Sequence, residues 1–172
     1  MMLKRLSLSL TIKDGVFTKT RSFNPEHLYS DNHVSWDKFD EISLINLDGK
    51  ITDSYYKFVE KIRKLINVPL TLSGGINNVN DADRLFSMGA DRIIINGGLW
   101  KSSLSYIEEI SNKYGAQSLI ASIDFLEKAK VLRAYDWRKN EIYPELLPEG
   151  LKYLERTIGE ILIQDKQNDG RI

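Results

Sequence analysis

The stretch RLSLSLT, residues 5–11, decides the fold. It alternates strictly, with Leu6, Leu8 and Leu10 on one face and Arg5, Ser7, Ser9 and Thr11 on the other. That is the period-two pattern of a β-strand. A central strand of an open, doubly wound sheet is covered on both faces and tends to be apolar throughout. A barrel strand sets one face against surrounding helices and turns the other into a lumen, where small polar groups are tolerated. Ser7 and Ser9 beside the leucines therefore argue for a barrel.

The rest of the chain extends the same reading. Ile42 to Leu47 is a second strand, followed by a helix with Tyr55, Phe58, Val59, Ile62, Leu65 and Ile66 at helical spacing and Thr52 or Asp53 as its cap. Pro69 to Ser73 is the third strand, and Val79 to Met88 a short helix ended by Gly89. Arg92 to Asn96 is the fourth strand. Ser102 or Ser103 then opens a helix with Leu104, Ile107 and Ile110 inward and Gly115 at its end. Leu119 to Asp124 is the fifth strand, with Lys130 to Trp137 as a surface hairpin after it. Pro144 to Thr157 carries Leu147, Leu151 and Leu154 at helical spacing, and Glu160 to Ile163 is the sixth strand. Strands separated by mainly helical segments predict a parallel α/β sheet. The expected fold is one incomplete (β/α)8 TIM barrel domain over residues 1–172, holding strands one to six with their helices. The closing GEILIQDKQNDGRI supplies the loop after the sixth strand, whereas the last two β/α units are absent.

Composition narrows the function. Lys plus Arg and Asp plus Glu both number 24, so bulk charge gives no pull toward nucleic acid or an anionic membrane. Trp36, Trp100 and Trp137 have no spacing that would make a stacking platform for single strands. The absence of cysteine excludes disulfides, thiolate metal sites and a cysteine nucleophile. His27 and His33 lie in a loop-like region with no other ligand cluster nearby, so no metal site is expected. No apolar run approaches the ~20 residues that span a bilayer. A soluble, cytoplasmic protein is the expectation.

Five segments, KRLSLSLTIKDGVFTK, PLTLSGGI, GADRIIINGG, GAQSLIASID and GEILIQDKQNDG, together resemble HisF, the cyclase subunit of imidazole glycerol phosphate synthase. Their order and spacing match from residue 3 to the end, about the first two thirds of a barrel of roughly 250 residues. The resemblance implies a lyase that takes ammonia from a HisH-type glutaminase and closes an imidazole ring in histidine biosynthesis. It implies no cofactor, and a sugar-like substrate carrying two phosphates. Gly75, Asn96 and Gly97 match positions that hold one phosphate, although Gly97 stands where the family usually has a hydroxyl residue. Asp169 and Gly170 match the start of the second phosphate site. Glycines at such strand ends let backbone N–H groups approach a phosphate closely, and they also make tight turns.

Ring closure needs an acid and a base, for which the family uses two aspartates. Asp124 matches one of them. Thr11 stands where the other is expected, and a threonine hydroxyl is a very poor base near neutral pH. Lys19 matches a lysine that helps close over the substrate, and reads equally well as a solvated loop residue.

At the opposite strand ends, Arg5, Glu41, Arg92 and Glu160 share inward parity, so two charges of each sign would meet across the barrel floor. Isolated charges there would cost several kcal/mol, which requires mutual pairing. In the family such a ring gates ammonia. Loss of the strand-one aspartate also resembles HisF relatives that serve amidation of a sugar. The alternative from another class is a catalytically inactive, truncated remnant that binds only a partner or a phosphate ligand. With two strands missing, open barrel edges are expected to pair two copies into a dimer.

Overall fold

In a computed structural model of the chain, residues 4–30, 34–101, 103–143 and 155–170 are described. Six parallel strands form the frame. They are β1 (Ser7–Lys13), β4 (Glu41–Asn46), β5 (Leu70–Ser73), β6 (Arg92–Ile95), β7 (Leu119–Lys128) and β10 (Glu160–Asp165). They pair in chain order, β1 with β4, β4 with β5, β5 with β6, β6 with β7 and β7 with β10. A doubly wound sheet reverses its order at a switch point. Here no reversal occurs, and the mixed α/β frame has the sequential order of a (β/α) barrel.

Among the described residues three α-helices connect these strands: α1 (Asp53–Arg63), α2 (Val79–Ser87) and α3 (Ser105–Tyr114). Right-handed crossovers in a sequentially ordered sheet place every helix on the same face. The core confirms that division. Ile42, Leu44, Leu70, Leu72, Ile93, Ile95, Leu119, Ala121 and Ile123 alternate onto the helix face and cluster with Tyr55, Val59, Ile62, Leu85, Ile107 and Ile110. The other parity is also buried but largely polar, with Glu41, Ser43, Thr71, Ser73, Ser122 and Asp124. Register aligns Ser9 with Ser43, Ser43 with Thr71 and Thr71 with Arg92, so the alternation read in residues 5–11 continues from strand to strand.

Caps follow the expected chemistry. Thr52 accepts the Tyr55 N–H at the start of α1, and Asn78 accepts the Asp81 N–H at the start of α2. Gly115 ends α3 with φ 87°. Leu65, expected to face inward from the first helix, lies past its end and is 50% exposed. Leu104, not a serine, occupies the N-cap of α3. Ser102 and the segment 144–154, including Leu147, Leu151 and Leu154, lie outside the described residues.

Two antiparallel hairpins extend the frame. β2 (Val16–Arg21) returns on β1 and pairs with β3 (Asn24–Tyr29), so Lys19 and His27 are opposite each other on strands, not in a loop. β7 continues past Asp124 to Lys128, turns, and pairs with β8 (Val131–Asp136), which pairs with β9 (Glu141–Ile142). This second hairpin was expected at the surface, yet Ala134, Tyr135 and Asp136 are buried. Between Asp31 and Asp40 the described structure is a single 3-10 turn, Trp36–Lys38. His33 lies outside the described residues. Among the described residues no helix is long and apolar enough to cross a membrane.

Candidate active site

The polar face of the sheet opens at the strand C-terminal ends into a cavity of about 960 Å³. Thr11, Lys19, Gly75, Asn96, Gly97, Asp124, Asp169 and Gly170 all line it. Residues from six different segments thus meet around one space.

Asp124 sits deepest. Only 3% of it is exposed, and its Oδ1 has no hydrogen-bond partner among the described residues. Its Oδ2 accepts from the Asn96 side-chain amide at 3.0 Å. Burial pushes its pKa up to about 7. The Asn96 hydrogen bond works against that rise, and the negative charges of Asp136 and Asp169 add to it. A carboxyl that titrates near neutrality can give or take a proton at little cost, as acid–base chemistry requires.

Asn96 has a role that sequence reasoning missed. Its amide nitrogen also reaches the Ser122 carbonyl at 3.1 Å, and its oxygen accepts the Trp137 indole N–H at 2.8 Å. Both ends of the side chain are occupied, and they orient Asp124. Trp137 comes from the turn after β8, and no local sequence signal links it to residue 96.

Thr11 lies two residues before the end of β1, and its hydroxyl donates to the Thr18 carbonyl of the adjacent hairpin. That bond ties down the hydroxyl hydrogen. Lys19 is exposed on β2 and faces the cavity. Gly75 has φ 73°, and a Cβ there would come within 2.6 Å of the Lys50 Cα. The turn therefore needs glycine whatever it binds. Asp169 accepts the Phe23 N–H at 2.9 Å, and its carbonyl accepts the Ser22 N–H at 3.0 Å. A Cβ at Gly170 would strike the Thr20 carbonyl. The loop after β10 is thereby clasped to the first hairpin across the cavity mouth.

At the other end of the lumen the four charges meet as an open chain of three pairs. Arg5 reaches Glu41 at 2.9 Å, Glu41 also pairs with Arg92, and Arg92 reaches Glu160 at 2.6 Å. Glu41 is the buried centre, and its second oxygen accepts from the Thr71 hydroxyl at 2.7 Å. Arg5 and Glu160 are the exposed ends. Asp91, beside them, accepts the Leu70 N–H at 2.8 Å and so serves its own sheet. Among the described residues no group of three or more His, Asp or Glu could hold a metal ion.

Comparison with known proteins matches residues 10–172 to the His_biosynth family, described as "Histidine biosynthesis protein". The chain is 31% identical to the imidazole glycerol phosphate synthase subunit HisF of Bacteroides thetaiotaomicron, over 99% of this chain and 70% of that protein. It is 30% identical to the HisF subunit of Natranaerobius thermophilus over the same shares. The HisF subunit of Haemophilus influenzae is 29% identical over 72% of this chain and 50% of that subunit.

Proposed function

Because the chain belongs to the histidine biosynthesis protein family as a HisF relative, we propose that it is the ammonia-using subunit of a HisF-type synthase. In this reading it works with a HisH-type glutaminase and acts on a phosphorylated, sugar-like substrate. The observation that carries it is Asp124, a buried carboxyl with pKa near 7 and one oxygen unpartnered among the described residues, deep in a cavity of about 960 Å³. Asp124 is the acid–base group, and Lys19 reaches over the substrate from β2. The turn at Gly75 and the residues around Asn96 and Gly97 hold one phosphate, while Asp169 and Gly170 begin the second phosphate site. With its side chain bound to Asp124 and Trp137, Asn96 can contribute to a phosphate only through its backbone.

Ammonia would be delivered from the opposite end, where Arg5, Glu41, Arg92 and Glu160 sum to zero charge. Parting the buried Glu41–Arg92 pair would cost several kcal/mol unless a new partner replaced it, so in this reading opening is coupled to docking of the glutaminase, while the exposed Arg5 and Glu160 ends part at little cost. The glutaminase would dock on that face.

A second reading rests on Thr11. Its hydroxyl is bound to Thr18, leaving one acid–base group where imidazole ring closure uses two. Amidation of a sugar by ammonia has no ring to close, and is the reading for a site in which Asp124 alone moves protons. A protein that only binds a partner or a phosphate ligand would have no use for a carboxyl held near neutrality.

The test is turnover of the phosphorylated imidazole precursor with free ammonia. Wild type should be slow, Asp124→Asn inactive, and Thr11→Asp faster by about 10²–10⁴-fold, the worth of one positioned acid or base. Equal rates for wild type and Thr11→Asp would refute the role given to residue 11. If no variant turns over the precursor while a sugar phosphate is aminated, the second reading takes its place.

A further inference from the structure

We propose that Arg138 is the anion-binding residue at the Gly97 end of the cavity, and that the bare Cα of Gly97 is what admits it. This assignment rests on the reading of the cavity as a phosphate-ester site and names the group that binds one phosphate there. A Cβ built on Gly97 would lie 2.8 Å from the Arg138 Cδ, 2.9 Å from Nε and 3.1 Å from Cζ. The guanidinium therefore occupies the space that a side chain at position 97 would fill. Where a threonine or serine would offer one hydroxyl, this chain offers a cation.

The arginine is held in place from several directions. Asp136, fully buried, accepts from Nε at 3.1 Å and from Nη2 at 3.0 Å. It also accepts the Arg138 backbone N–H at 3.0 Å. On one side of Arg138 the Trp137 indole is bound to Asn96 at 2.8 Å. Further along, Tyr143 stacks on Trp100, in the turn that follows Gly97, with ring centroids 4.3 Å apart. The second hairpin is thus pinned on both sides of Arg138.

A guanidinium has five N–H donors in a planar fork. Asp136 uses two of them, and Nη1 has no partner among the described residues. The arginine lines the cavity and its side chain is 32% exposed, so the free edge can meet a ligand. Planar, bidentate donors of this kind match phosphate oxygens, and a guanidinium already fixed by a buried carboxylate loses little freedom on binding. The fitting ligand is a phosphate monoester.

The experiment is titration of the intact protein with inorganic phosphate and with ribose 5-phosphate, followed by NMR and calorimetry. Asp136→Asn combined with Arg138→Gln keeps a hydrogen-bonded pair without its charges, and should weaken both ligands by about 10–100-fold, the range for charge-assisted hydrogen bonds. Arg138→Lys keeps the charge and the pair but loses the fork, and should weaken them about tenfold. It also guards against misfolding of the double variant. Gly97→Thr should weaken binding as well, because its Cβ displaces the guanidinium. Tighter binding by Gly97→Thr would show that a hydroxyl cradle is the operative site and overturn the assignment. Wild-type binding that persists in both Arg138 variants would overturn it alone. Wild type that binds neither ligand would overturn it together with the phosphate-ester reading beneath it.

Discussion

Asp124 sets the pH behaviour of the site. Its folded pKa of about 7 stands above the ordinary 3.8. Between those values the folded protein holds a proton that the unfolded chain has released, so stability falls as pH rises. The contribution is fully present below about pH 4 and is lost as pH climbs through about 7. Asp124→Asn removes the penalty of burying the ionised form and should stabilise the protein by roughly 2–4 kcal/mol at pH 8, with almost no effect at pH 4. Chemical denaturation at the two pH values checks this, and equal effects at both would contradict it. Gly75→Ala should act oppositely at any pH. Strain at φ 73° and the approach to Lys50 together should cost about 2 kcal/mol or more, even with no ligand present. At this scale the sequence was partly legible. Asp124 could be found because it matches one of the two aspartates of the HisF family, at the end of the fifth strand. Asn96 was assigned to a phosphate by the same resemblance, and nothing near it in sequence reveals that Trp137, 41 residues on, takes its oxygen.

The parallel strands and α1 to α3 were readable because burial imposes periodicity on them. β4 has buried residues at Glu41, Ile42, Ser43, Leu44 and Asn46, and its pattern could scarcely be missed. The first hairpin was not readable for the opposite reason. Every residue of β3, NPEHLY, is exposed, and with Pro25 inside it no apolar alternation remains to betray a strand. One cross-strand ring pair and two distant contacts hold that hairpin. Phe17 stacks on Tyr29 at 5.4 Å and meets Phe58 of α1 edge-on at 4.8 Å, and Asp169 clasps the turn at Phe23. Asp169→Ala should therefore loosen the hairpin tip while leaving the sheet intact. The expected result is faster hydrogen exchange at the Phe23 amide, unchanged exchange in β5 and β6, and a loss of about 1–2 kcal/mol. Slowed or unaltered exchange at Phe23 would exclude the clasp.

Across the whole molecule, the lumen has an end with the buried Asp124 carboxyl and an end with paired charges. Glu41 is the one buried member of the chain of charges, and Glu41→Ala should cost about 1–3 kcal/mol, because it leaves the Thr71 hydroxyl without its acceptor and Arg92 with Glu160 alone. If Glu41 also gates ammonia, the ratio of glutamine-dependent to ammonia-dependent turnover should change, and an unchanged ratio would make the residue purely structural. The outer edge of β10 is unpaired among the described residues, and on its helix face Ile161 and Ile163, in register with Ala121 and Ile123, are 53% and 68% exposed. The 172-residue chain should self-associate there. Sedimentation should show Ile163→Lys shifting it toward monomer, and a stable wild-type monomer would reject the idea. The clasp at the cavity mouth has a consequence for how the molecule is made. It joins Phe23 to Asp169, residues 146 apart in the chain, whereas the outer two of the three floor pairs join residues only 36 and 68 apart. Closing a longer loop costs more chain entropy, and an emerging polypeptide cannot make a contact before both halves exist. The floor can thus be set while the rim is still unmade, and the pocket acquires its mouth only when residue 169 has left the ribosome.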